Sequence, residues 1–301
     1  DDYPYWAVSD TLEALQKIAL LKRKKLNIPV VAITGSVGKT TTKDMTGELM
    51  KSYGKIKVSD QNNNNEIGVA LTILGADSNS KLLVIEMGMR GEGQIENLSK
   101  YSEPDIAIIT NIGTSHIGIL GSKDNIAKAK CEIVKSLNPK GLVIVPEGDL
   151  ILEKYLVNEW KGRVLRINLI NIQDEKKFIQ QKKETLTGVY QDKENRIKID
   201  NKQFKISYKG LHNAYNFLFA YAVSQEFGIK FGKNNFFEFK RYLGRNNLIR
   251  NNKVMIMDET YNASPESVKA CISVLIEYPG KHFLVLGSMK ELGNLSAQYH
   301  L

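Results

Sequence analysis

No run of about 18 apolar residues occurs in this sequence, which excludes a membrane-spanning helix. Its first ten residues, DDYPYWAVSD, lack a basic segment followed by an apolar one, so they are not read as a secretory signal. Cysteine is nearly absent. Cys131 and Cys271 are the only two, too few for a disulfide framework, and a reducing compartment is expected. Neither sits in a Cys-His arrangement that would suggest a nucleophilic thiol. No internal repeat occurs, and the Asn run at 62–65 is too short to count as low complexity.

Positive charge, in contrast, is in excess, with a formal net charge of +9. A nucleic-acid partner would be one use for it. The location argues otherwise. Residues 161–205 hold twelve Lys/Arg against six Asp/Glu, scattered and without interleaved aromatics. That pattern reads as a solvated lysine-rich surface and no nucleic-acid site. A length of 301 residues with 42% hydrophobic and 25% charged residues predicts a folded chain of two or more domains.

Strand and helix patterns alternate along the chain. Asp10 with Glu13 three residues on opens an amphipathic helix whose apolar face is Leu12, Leu15, Ile18 and Ala19. Continuous apolar runs at 28–34, 81–87, 104–110 and 141–146 are separated by helical patterns near 40–53, 65–75, 92–100 and 123–137. This grammar predicts a mostly parallel sheet covered on both faces. Residues 163–208 alternate around polar turns, so antiparallel strands are expected there. Helices are expected again at 211–227 and 233–243, followed by a strand–helix–strand unit at 252–258, 264–277 and 281–287. The fold class is therefore α/β: a central phosphate-loop domain with a mostly parallel sheet plus an antiparallel subsheet, then part of a Rossmann-like domain. The expected divisions are a lead-in helix at 1–27, a central domain at 28–244 and a partial C-terminal domain at 245–301.

The most informative stretch is ITGSVGKTTTKD, 33–44, between an apolar strand and a helix. Glycines let backbone N–H groups turn inward, and the helix N-terminus adds positive potential. Lys39 supplies a point charge and Thr40 can hold Mg²⁺. The commoner G-x-x-x-x-G-K-[ST] spacing would need Gly at 33, where Ile33 stands, so this is a shorter version. It is read as holding a nucleoside triphosphate, ATP first among them. Glu86 and His116 each follow an apolar strand, at the edge where α/β folds present ligand groups. Both are metal candidates, against the bland readings of a solvated strand end and a structural histidine. Lys128 and Lys130 are two apart on a predicted helix and cannot share a face, so at least one points elsewhere. A nucleic-acid-dependent ATPase would be expected to carry an Asp-Glu pair after an apolar strand, and IEMG has none.

The ordered set DTLEALQ, ITGSVGKTTTKDM, NNEIGVALTIL, IEMGMRGEGQI, ITNIGTSHIGILGS, IAKAKCEIV, GLHNAYN, DETYNASPES and LGSMKELG resembles the Mur ligases, the ATP-dependent amide-forming enzymes of peptidoglycan synthesis. The resemblance runs from about Asp10 to the end and is strongest to the branch that joins D-Ala-D-Ala to UDP-muramoyl tripeptide. It implies a cytoplasmic bacterial ligase, monomeric, that uses ATP and two Mg²⁺. It further implies that Gly35, Ser36, Val37, Gly38, Lys39, Thr40 and Thr41 wrap the phosphates. Thr40 and Glu86 would hold one Mg²⁺ and His116 a second, with Lys130 carried as a carbamate that supplies a metal ligand. Asn213 and Asn216 would approach the adenine, and Arg245 the γ-phosphate. Asp258, Tyr261 and Asn262 would line the ribose site, and Asn64 and Asn65 the acceptor site. The resemblance also implies a UDP-binding domain ahead of residue 1 and more strands after residue 301. This chain is therefore expected to be a sluggish or inactive ligase that can still bind ATP. Ala70, Ser264 and Ser288 depart from the family's usual Pro, Asn and Asp, and Ser288 removes a carboxylate near the amine substrate. Another Mur ligase, a folylpolyglutamate synthase-like ligase and a non-catalytic nucleotide-binding fragment are the alternatives.

Overall fold

The computed structural model describes residues 4–60, 62–172, 184–251 and 254–301. Part of the lysine-rich stretch and the first two residues of the expected strand at 252–258 lie outside them. The first half alternates as expected: α1 (Thr11–Leu26), β1 (Val30–Thr34), α2 (Lys39–Leu49), β2 (Lys55–Val58), α3 (Glu66–Leu74), β3 (Ser80–Glu86), α4 (Gln94–Ser102), β4 (Ile106–Ile109), a short α5 (Ile117–Leu120), α6 (Lys123–Cys131) and β5 (Leu142–Pro146). Then come α7 (Leu150–Glu159), β6 (Arg163–Asn171), β7 (Thr185–Gln191), β8 (Arg196–Ile199), β9 (Lys202–Ile206), α8 (Leu211–Glu226), β10 (Asn234–Phe237), β11 (Asn247–Asn251), β12 (Val254–Asp258), α9 (Pro265–Leu275) and α10 (Ser296–His300).

Among the described residues ten strands form one sheet in the order β10-β9-β8-β7-β6-β5-β4-β1-β3-β2. Every ladder in it is parallel except β7–β8 and β8–β9. The strand period of two divides the apolar residues between two cores. Val30 and Ala32 of β1, with Leu83 and Ile85 of β3, join the layer that holds residues of α1, α3, α4, α6 and α7. Val31 and Ile33, with Leu82 and Val84, join the opposite layer, where α2 packs on α8. Strands buried on both faces cannot alternate polar and apolar residues, and for this reason the sequence shows continuous apolar runs.

Helix α1 closes one layer through a polar anchor. Asp10 caps it by accepting from the Glu13 N–H at 2.8 Å. Buried Arg23 donates to the carbonyls of Ser102 and Glu103 and to Asp105 Oδ2 at 2.9–3.1 Å. The same Asp105 oxygen accepts the Val30 N–H at 2.9 Å, which ties the helix to the first residue of β1. Arg23→Ala is expected to cost about 2–3 kcal/mol, because it strands buried acceptors of a charged donor. Urea unfolding followed by circular dichroism measures the loss.

Three expectations fail in instructive ways. The helix expected at 233–243 is instead β10, paired parallel to β9. Its phenylalanines follow a two-residue rhythm: Phe236 is 62% exposed, while Phe237 packs against Phe217, Phe231 and Phe239. β6, expected among antiparallel strands, runs parallel to both neighbours. The strand expected at 281–287 does not form. Among the described residues β11 and β12 pair antiparallel with each other alone, so no ladder reaches it, and Phe283 and Val285 stand 83% and 95% exposed.

Candidate functional site

The turn after β1 is held open by its neighbours rather than by itself. Asn111 Oδ1 accepts the Val37 N–H at 3.1 Å, while Asn111 Nδ2 and Thr110 Oγ1 both donate to the Val37 carbonyl, at 2.9 and 2.6 Å. The Ser36 hydroxyl accepts the Gly113 N–H at 2.8 Å. Gly35 and Gly38 have φ of +148° and +84°. A Cβ on Gly35 would sit 1.8 Å from Thr110 Oγ1, and one on Gly38 2.5 Å from Asn216 Oδ1. Glycine is thus required at both for backbone reasons and for close approach. Lys39 opens α2, and its ammonium donates to the carbonyls of Gly35 and Ser36 at 2.8 and 3.3 Å. Burial, and secondarily nearby Arg245, lowers its pKa, while Glu86 opposes that shift. The turn thus presents a partly desolvated cation at a helix N-terminus, an arrangement suited to phosphate.

At the second residue of α2, Thr40 Oγ1 donates to Glu86 Oε2 at 2.8 Å. The other carboxylate oxygen accepts from Asn64 Nδ2 at 2.9 Å, and Glu86 is 2% exposed. Lys43 stands 3.9 Å from Glu86 and donates to the Ser59 carbonyl. Burial pushes the neighbouring Asp44 carboxyl up to about 6, although Lys43 pulls the other way. A hydroxyl and a carboxylate meeting at a phosphate turn are the hard oxygen donors that Mg²⁺ prefers, with phosphate oxygens and water completing its shell. Among the described residues no group of three or more His, Cys, Asp or Glu forms a metal cage alone. A site completed by a nucleotide does not require one.

Of the three lysines on α6, Lys123 and Lys128 are exposed and Lys130 is 1% exposed. No carboxylate or carbonyl pairs with the Lys130 ammonium among the described residues. Burial, reinforced by Lys39, holds its pKa well below the ordinary lysine value. A buried, uncompensated lysine is a poor structural choice, and its neutral amine has the form that carbamylation requires. Burial lowers the His116 pKa, Glu291 opposes that shift, and the charges of Lys130 and Lys39 add to the lowering. It has φ of +68°, and its Nδ1 bonds the Glu291 carboxylate.

On the other side, Asn216 Oδ1 accepts from Thr42 at 3.3 Å under Gly38. Asn213 donates to the carbonyl of Lys209 and to Asn246 Oδ1 at 2.7 and 2.9 Å, but its own buried Oδ1 has no partner among the described residues. An orphaned acceptor three residues before Asn216 on α8 fits a donor on a ligand. The Arg245 guanidinium stacks 3.8 Å over the Tyr261 ring. Asp258 accepts from Gly244 N–H at 2.9 Å and from Thr260 Oγ1 at 2.7 Å, so it also builds the turn that carries Arg245. Two expected residues are used locally. Asn65 caps α3 through the Gly68 N–H at 2.8 Å, and exposed Asn262 bonds the Ala263 N–H.

Sequence reasoning missed two carboxylates. Glu266, in the first turn of α9, accepts the N–H and hydroxyl of Thr114 at 2.8 and 3.0 Å. Glu291 reaches His116. Both lie in quoted motifs, SPES and KELG, but neither motif says what its acid touches.

Residues 33–224 match the sequence profile of the Mur ligase middle domain. A UDP-N-acetylmuramoyl-tripeptide–D-alanyl-D-alanine ligase of Synechocystis is 36% identical over 97% of this chain, which spans 62% of that relative. MurF of Acinetobacter baumannii superposes with a TM-score of 0.86 at 27% identity, covering 99% of this chain and 67% of that one. MurF of Thermotoga maritima, solved in complex with ADP, gives 0.82 at 28% identity, covering 98% and 68%.

Proposed function

The chain belongs to the Mur ligase family, and from that premise we propose that it is the ATP-binding core of an amide-bond ligase of peptidoglycan precursor synthesis. The reaction joins D-Ala-D-Ala to UDP-muramoyl tripeptide in the bacterial cytoplasm. The observation that carries this reading is the contact between Thr40 on the phosphate turn and buried Glu86 at the end of β3. The similarity to relatives named as D-Ala-D-Ala ligases over 97% of the chain favours this substrate pair over a folylpolyglutamate synthase-like alternative.

The obstacle is bringing a substrate carboxylate to a polyanionic tail. The turn N–H groups and Lys39 hold that tail, and Arg245 approaches the terminal phosphoryl. The tripeptide carboxylate attacks the γ-phosphorus in line and ADP leaves, giving an acyl phosphate. The D-Ala-D-Ala amine then attacks the acyl carbon and phosphate departs. Thr40 and Glu86 would hold one Mg²⁺, and His116 with carbamylated Lys130 a second. These ions neutralise phosphate charge when bound. Asn216, with the orphaned Asn213 oxygen, faces the adenine side, and Asp258 with Tyr261 and Asn262 the ribose side. Asn64, bonded to Glu86, serves the acceptor better than Asn65, which is spent on a cap.

Phosphate release is measured from the chain with ATP, Mg²⁺, UDP-muramoyl tripeptide and D-Ala-D-Ala, omitting each in turn. Release is expected to require the tripeptide and to rise with the dipeptide. Release indifferent to both peptides would overturn the ligase reading.

A further inference from the structure

The turn at 288–293 is fastened in place before it reaches the site. Met289 and Leu292 are 8% and 3% exposed, packed into the same core as α6. The Met289 N–H donates to His300 Nε2 at 2.8 Å. The Glu291 carbonyl accepts the Gly118 N–H at 2.8 Å, and Gly118 meets Gly293 so closely that a Cβ would lie 2.7 Å from the Gly293 nitrogen. With its backbone docked at Gly118, Glu291 bonds the Nδ1 of His116, two residues away.

We propose that Glu291 is a positioning residue for His116: it takes the Nδ1 proton as a hydrogen bond, fixes that tautomer, and leaves Nε2 as the lone-pair nitrogen for a metal beside Lys130. Three facts converge on this. Nδ1 is engaged by an acceptor-only group, so it carries the proton. No hydrogen bond to Nε2 exists among the described residues. The Glu291 backbone that carries this acceptor is itself anchored, its carbonyl taking the Gly118 N–H at 2.8 Å. A carboxylate behind a ligating histidine also raises the basicity of the free nitrogen. The consequence is a coupling. Undocking of 288–293 removes the acceptor, and an isolated neutral imidazole then has no reason to keep its proton on Nδ1. Metal affinity would therefore report on the docking of the C-terminal segment. The metal half of this inference rests on the ligase reading, whereas the tautomer half does not.

Two-bond ¹H–¹⁵N correlation at alkaline pH reads the tautomer without metal or nucleotide. The protein has four histidines, and His116→Gln identifies the relevant signal by its loss. His116 is expected as the Nδ1–H tautomer in the wild type and shifted toward Nε2–H in Glu291→Ala. Mn²⁺ titration with a non-hydrolysable ATP analogue is expected to weaken about 10- to 100-fold in Glu291→Ala. Glu291→Gln, whose amide oxygen still accepts, should recover the tautomer and part of the affinity. A wild-type His116 protonated on Nε2 overturns the proposal with no variant needed. So does a Glu291→Ala protein with unchanged tautomer and Mn²⁺ affinity. A wild type with the expected tautomer and no nucleotide-dependent Mn²⁺ site would instead count against the ligase reading.

Discussion

Lys39→Ala is expected to weaken ATP binding about 10- to 100-fold and to cut phosphate release about 10²- to 10³-fold, while leaving the fold intact. Among the described residues this ammonium bonds only the Gly35 and Ser36 carbonyls of its own turn. Those carbonyls belong to a turn already pinned by Asn111, Thr110 and Gly113, so it keeps its shape without the lysine. Truncation therefore removes a partly desolvated cation without disturbing the core, and the melting temperature should barely move. Gly38→Ala acts by another route: it combines φ of +84° with a Cβ 2.5 Å from Asn216 Oδ1, so the turn itself must shift. Lys39→Arg should rescue little, because a planar fork does not replace a point charge within a tight turn. Isothermal titration with ATP, beside a thermal melt, separates the two routes. Unchanged ATP affinity in Lys39→Ala would mean that the turn does not hold the phosphates.

That turn was legible because its cause is local. Apolar strand, two glycines, Lys-Thr and helix occupy about twenty consecutive residues, and each contributes through its own backbone or side chain. The parallel sheet was legible for a related reason: strands buried on both faces leave continuous apolar runs. Legibility fails where the cause is distant. Glu266 and Glu291 reach Thr114 and His116 across 152 and 175 residues, and nothing in SPES or KELG encodes the far partner. β10 was misread because NNFFEFK is short enough to fit either period, and the open edge of β9 decides the matter. The segment 281–287 has strand composition, but composition forms no strand without a ladder to join. Lys130 stands between these cases. The spacing excluded a shared face with Lys128 but could not say which lysine is buried.

Burial of Lys130 leads to the second large effect, in which stability and chemistry move in opposite directions. Lys130→Met keeps the length and apolar stem and removes an amine that burial desolvates and that bonds none of the described residues, which should stabilise the chain by about 1–3 kcal/mol when no metal is bound. The same change should lower phosphate release by about 10²-fold or more, because it deletes the amine on which a carbamate would form. Intact-protein mass spectrometry in bicarbonate should show a carboxyl adduct on the wild type and none on the variant. The pH dependence gives an independent check. Burial depresses the folded-state pKa of Lys130, so within the window between that value and the ordinary lysine value the unfolded chain holds more protons. Stability from this residue must therefore rise with pH across that window, and its penalty is fully present below it. Lys130→Met should flatten that part of the profile. A variant that is destabilised, or that retains phosphate release, would show that Lys130 is compensated in the fold and has no part in the chemistry.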